Sequence, residues 1–138
     1  MQLPEGSPKL IDKNPGILVV DCEDLVRSMC ASVFRSHGIT VLLANSRDEA
    51  TRVYQAHQDE IDLVLLDAMI SGQGGLLTLG SLLAIDPGVR VCCLNGGSSK
   101  YSREDLLNSG AIEVLSRPLS DDDVQSVLDL LGPDSPSE

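Results

Sequence analysis

Apolar positions along this chain follow two different periods, and the two take turns. Short apolar runs bounded by turn residues occupy 16–21 (GILVVD), 39–44 (ITVLLA), 61–67 (IDLVLLD), 89–95 (VRVCCLN) and 111–115 (AIEVL). Their length and their Val and Ile content predict strands, and the lack of strict alternation predicts burial on both faces. Between the runs, apolar residues recur at intervals of three and four. Val26, Met29, Cys30, Val33 and Phe34 make one helical face that ends at His37-Gly38. Ser46 with Glu49 predicts a capping box ahead of Ala50, Val53 and Tyr54. Residues 75–85 are helical by length and stop at Asp86-Pro87-Gly88. Ser102 with Asp105 opens a short helix that ends at Gly110. Ser120 with Asp123 opens the last, with Val124, Val127, Leu128 and Leu131 on one face.

The order is therefore a strand followed by a helix, five times over. Parallel strands joined by crossover helices satisfy that order most economically, which predicts a doubly wound α/β domain with helices on both faces of the sheet. Pro, Gly and Ser punctuate residues 1–14 and the closing segment 132–138, which read as tails flanking a domain at 15–131. No internal repeat is visible.

Composition narrows the chemistry. Two Tyr, one Phe and no Trp leave an aliphatic core. With 10 Lys+Arg against 21 Asp+Glu, the net charge of -11 argues against a nucleic-acid surface and for cations or basic protein partners. Of the four cysteines, Cys92 and Cys93 lie in an apolar run and read as buried thiols. No pair has zinc spacing, and a reducing cytoplasmic setting is the expectation. The opening residues lack a signal-peptide pattern, and no apolar run is long enough to span a bilayer, so no membrane role is expected.

In a doubly wound sheet the loops at the carboxyl ends of the strands form the ligand crevice. Those ends carry Asp21, Cys22, Glu23 and Asp24 after the first run, Asp67 after the third, Asn95 after the fourth and Arg117 after the fifth. Acids after the first and third strands repel one another if those strands are neighbours, and a hard divalent cation such as Mg²⁺ would relieve that repulsion.

The stretches ILVVDCE, DLVLLDAMISGQGG, VCCLN and GAIEVLSRPL are similar to the signature stretches of response-regulator receiver domains, over about residues 16–131. The resemblance implies a flavodoxin-like five-stranded parallel sheet in the order 2-1-3-4-5. It implies Asp67 as phosphoacceptor and Asp21, Asp67 and the backbone carbonyl of Met69 as Mg²⁺ ligands. Asn95 and Arg117 take the positions that contact the phosphoryl group, and Pro118 follows a bond that is usually cis. A sensor histidine kinase or phosphotransfer protein would supply phosphate, and a downstream protein would read the surface formed by the helix after 95–101, strand 111–115 and helix 120–131. On this reading the chain is a signalling module in a phosphorelay and not an enzyme.

Several positions depart from the family pattern. Cys22 replaces the second acid of the metal pair, Asn95 a Thr or Ser, Arg117 a Lys, and Val114 the aromatic switch residue. The alternative is thus a degenerate receiver that binds proteins without phosphorylation. An Asp-nucleophile phosphatase is disfavoured because Met69 stands where that chemistry places a second Asp. Flavin binding is disfavoured by the 2% aromatic content. Capping remains the rival role for Asp21 and Asp67, a counter-ion to Asp67 for Arg117, and a turn residue for Asn95. The phosphoacceptor reading requires Asp21, Asp67 and Arg117 to meet on one rim, with the Asp67 carboxylate open to solvent.

Overall fold

The computed structural model describes residues 14–70, 74–96 and 100–132. The tail expectations for 1–13 and 133–138, and the residues 71–73 and 97–99, fall outside it. Five strands, β1 (Gly16–Val20), β2 (Thr40–Ala44), β3 (Leu63–Asp67), β4 (Val91–Asn95) and β5 (Glu113–Ser116), alternate with five helices. These are α1 (Asp24–Arg35), α2 (Arg47–Ala56), α3 (Gly74–Ile85), α4 (Arg103–Asn108) and α5 (Asp121–Leu130), with a 3-10 turn at Gln58–Glu60. All strands pair in parallel, in the order β2-β1-β3-β4-β5. The five predicted strands and five predicted helices are present with ends shifted by at most two residues.

Period-2 geometry divides the core between the two faces of the sheet. Ile17, Val19, Leu63, Leu65, Cys92 and Leu94 point to the side covered by Cys30, Ala31 and Phe34 of α1 and Val127 of α5. Leu18, Val20, Val64, Leu66 and Cys93 point to the other side, beneath Ala50 and Tyr54 of α2, Leu79 and Leu82 of α3, and Leu106 of α4. Because both faces are covered, all of β1 and β3 is buried, which accounts for their uninterrupted apolar runs. Each such Leu, Val or Ile removed from water stabilises the fold by roughly 1.5–3 kcal/mol.

Local signals set the ends of the helices. Gly38, with φ of 80°, takes the left-handed conformation that terminates α1, a backbone state that costs glycine little. Ser102 with Asp105 and Ser120 with Asp123 form complete capping boxes. The box expected at Ser46 is only half made. The Ser46 side chain accepts from the Glu49 N–H, but the Glu49 carboxylate accepts from the N–H of Asn45, one residue earlier than predicted. Among the described residues, no helix is long and apolar enough to cross a membrane.

Burial separates the thiols. Cys30 is pushed up to about 11, and Cys92 and Cys93 each to about 12, in every case chiefly because an apolar surrounding disfavours the thiolate. Cys22 is exposed. A thiol reagent under native conditions is therefore expected to modify Cys22 rapidly and the other three only on unfolding. Mass mapping of the labelled peptides checks this, and fast labelling at Cys92 or Cys93 would contradict the packing.

Candidate functional site at the carboxyl edge of the sheet

Register brings the acids together. Val20 of β1 pairs with Leu66 of β3, so the next residues, Asp21 and Asp67, leave adjacent strands at the same level. Both are nearly sealed. Asp21 is fully buried, and the Asp67 side chain keeps 6% of its surface, so the opening to solvent that the sequence reading required is present but narrow. Each carboxylate is held by the backbone of its own loop: Asp21 Oδ1 accepts from the Glu23 N–H at 3.0 Å, and Asp67 Oδ1 from the Met69 N–H at 3.0 Å. The carboxylate-to-amide turns expected as a rival role are thus present. They coexist with the convergence of the two acids.

Arg117 crosses the rim to meet them. It follows β5, which is separated from β1 by β4 and β3, and only a long side chain closes that gap. Its Nε donates to Asp21 Oδ2 and its Nη2 to Asp21 Oδ1, each at 3.0 Å, a two-point fork on one carboxylate. Nη2 also lies 3.2 Å from Glu23 Oε1, and Nε lies 3.6 Å from Asp67 Oδ1. The main counter-ion relationship is therefore with Asp21. The sequence reading weighed only Asp67, because nothing in the chain tells which of two neighbouring acids a planar donor will match. The Asp21 hydrogen bonds hold the guanidinium even more firmly protonated than usual, followed by the fields of Asp21, Asp67 and Glu23, against the cost of burial. The Arg117-Pro118 bond is cis, as the resemblance implied.

Other members differ in how far they reach the centre. The Asn95 amide donates to the Tyr101 carbonyl at 3.1 Å, clasping the ends of the β4–α4 loop, and its buried Oδ1 has no hydrogen-bond partner. Cys22 lies at the metal pair, where the sequence placed it. Its Sγ and one carboxylate oxygen each from Asp21 and Asp67 all lie within 4.8 Å of one another. Two roles escaped the sequence reading. Glu23 joins Arg117, and Arg27 on the first turns of α1 donates to the Asp21 carbonyl at 2.6 Å while pairing with Asp24. The i, i+3 spacing of Asp24 and Arg27 was the available signal for that pair.

The Asp67 carboxyl titrates above the ordinary aspartate value. Burial is the largest cause; the negative fields of Asp21 and Glu23 add to it, while the Met69 N–H and the Arg117 charge oppose it. A folded-state value above the unfolded one means that ionisation of Asp67 opposes folding. Its favourable contribution is complete below the unfolded-state value and is lost as pH rises through the folded-state value. Asp67→Asn is therefore expected to raise the melting temperature at neutral pH, with the advantage disappearing below the ordinary aspartate range. Urea melts across that range check the sign; a loss of stability at neutral pH would refute it.

A parallel sheet in the order β2-β1-β3-β4-β5 with paired acids and a cation at its carboxyl edge is the arrangement of a receiver-type α/β module, here with an arginine as the cation. The sequence profile of the response regulator receiver domain matches residues 17–129, and the chain belongs to that family. Its function class is phosphorelay signal transduction. The chain is 32% identical over 116 residues to the transcriptional regulatory protein ZraR of Escherichia coli (strain K12), covering 84% of this chain and 26% of that protein. It is 28% identical over 108 residues to the probable transcriptional regulatory protein TcrX of Mycobacterium tuberculosis, covering 78% of this chain and 45% of that one. The chain thus spans about a quarter to a half of these relatives. Among solved structures, a response regulator receiver domain protein from Clostridium thermocellum superposes with a TM-score of 0.74 at 26% identity, over 81% of this chain and 89% of that one. CheY in the CheX-CheY-BeF3-Mg complex from Borrelia burgdorferi gives a TM-score of 0.79 at 24% identity, over 90% and 94%, and speaks for the fold alone.

Proposed function

We propose that residues 15–131 act as a phosphoryl-accepting receiver with Asp67 as acceptor. An Asp67 carboxylate oxygen forms a bond to phosphorus as the bond from phosphorus to a donor phosphohistidine nitrogen breaks. The released imidazole nitrogen keeps the electron pair. The observation that carries this reading is the meeting of Asp67, Asp21 and Arg117 over one rim, at strand ends far apart in the chain. Arg117 supplies a fixed positive charge 3.6 Å from Asp67, and the second amide hydrogen of Asn95 is a donor at the end of the neighbouring strand.

Mg²⁺ fits this pocket in part. Asp21, Asp67 and the Met69 carbonyl would supply hard oxygen donors, whereas Cys22 is a soft one, and Arg117 already engages both oxygens of Asp21. When bound, the ion would offset charge on the transferred phosphoryl oxygens. A histidine kinase or phosphotransfer protein is the proposed donor. The exposed apolar residues Leu25, Met29 and Val33 of α1, the helix that follows Asp21, suit contact with a protein. Output is assigned to protein contacts at α4, β5 and α5 and not to direct nucleic-acid binding, in keeping with the acidic charge.

Incubation with a small phosphodonor and Mg²⁺ should add one phosphoryl mass to the wild type and none to Asp67→Ala. An adduct that persists in the variant would overturn the assignment. Absence of any adduct would support the second reading, a phosphorylation-independent protein-binding module, which the near-burial of Asp67 and the loss of the second acid at Cys22 favour.

A further inference from the structure

The fork from Arg117 to Asp21 has a consequence for metal. Two carboxylates lie side by side with little access to water, an arrangement that demands a nearby cation. Here the chain supplies that cation itself. The guanidinium makes two hydrogen bonds of 3.0 Å to Asp21, one to each oxygen, and adds Glu23 at 3.2 Å. We infer that Arg117 is the resident cation of this pocket, so that Asp21 is already paired in the resting domain without metal and a divalent ion enters only by displacing Arg117 from Asp21. The inference deepens the Mg²⁺ part of the proposed reading, yet it concerns the unphosphorylated protein and does not depend on phosphoryl uptake.

Geometry and charge both favour this arrangement. A divalent ion on Asp21 and Asp67 would share those oxygens with a guanidinium already in contact, so each ion bound meets a positive charge or must drive it out. The side chain of Arg117 retains 23% exposure, which gives it a route towards solvent when displaced. Cys22 weakens the metal's side of the contest, since the thiol adds neither a fixed negative charge nor a hard donor. A lysine in place of Arg117 would contest the acids less well, because a compact ammonium cannot span both oxygens of one carboxylate as a planar fork does.

The test is Mg²⁺ binding to the unphosphorylated domain, followed by calorimetric titration and by the metal-dependent rise in melting temperature at constant ionic strength. Wild type should bind weakly. Arg117→Met should bind at least about tenfold more tightly, equal to ~1.4 kcal/mol, and Arg117→Lys should fall between the two. Melting temperature should rise with Mg²⁺ far more in Arg117→Met than in wild type. Equal affinity in all three proteins would overturn the inference, as would a wild type that binds as tightly as Arg117→Met. Should Arg117→Met fail to fold without metal, Arg117→Lys decides: tighter binding than wild type upholds the inference, and unchanged binding overturns it. Phosphoryl uptake at Asp67 is read separately by mass, so failure there and failure here are distinguishable.

Discussion

Arg117→Met is expected to lower the unfolding free energy by about 3 kcal/mol or more in metal-free buffer at neutral pH. The substitution keeps an apolar stem and removes the donors that satisfy Asp21. That carboxylate is fully buried, and without the fork its remaining described hydrogen bond is the one from the Glu23 N–H. An uncompensated charge in such a place is costly because water cannot replace the lost partner. Partial exposure of Arg117 holds the figure near the low end of the range for buried pairs. Arg103→Met serves as the comparison. Arg103 pairs with Glu113 at 2.9 Å, but the two side chains are 58% and 33% exposed, so its loss should cost less than about 1 kcal/mol. Urea denaturation of both variants checks the contrast, and equal costs would show that the fork is not a structural element.

Gly75→Ala is expected to destabilise the domain by about 3 kcal/mol, the upper end for overpacking, and to displace the segment that follows the acceptor. A Cβ built at Gly75 would stand 2.0 Å from the Ala68 carbonyl oxygen and 2.8 Å from its Cα. These are backbone atoms of the residue next to Asp67, and no rotamer change can move them aside. Helix α3 therefore touches the acceptor loop directly, through the absence of a side chain. The variant should lose stability and also phosphoryl uptake at Asp67, because the Met69 N–H that holds the Asp67 carboxylate lies in the displaced segment. A Cβ added at Gly80 on the same helix would meet nothing within 4 Å, so Gly80→Ala should be neutral or slightly stabilising. Thermal melts of the two variants provide the check; a Gly75→Ala protein as stable as the wild type would refute the contact.

Much of the architecture was legible in the chain because it rests on local physics. Uninterrupted apolar runs such as ILVV declare strands buried on two faces. Ser102 with Asp105 and Ser120 with Asp123 declare helix starts through hydrogen bonds made within a few residues. The Ser46 box was half right because the Glu49 carboxylate takes the N–H of Asn45, one residue before the cap, and spacing does not choose between consecutive backbone donors. Acidic residues at the ends of β1 and β3 marked the site, and the resemblance to receivers gave them roles.

By itself the sequence determined the alternation of strands and helices, the aliphatic core and the set of charged groups at the carboxyl edge, since each depends on neighbours in the chain. Only the tertiary structure decided how those charges pair. Strand order and register put Asp21 beside Asp67, and the reach of Arg117 across two strands selected Asp21 over Asp67 as the carboxylate it grips. Such a choice turns on differences of tenths of an ångström between groups 96 residues apart, and periodicity carries no information at that separation.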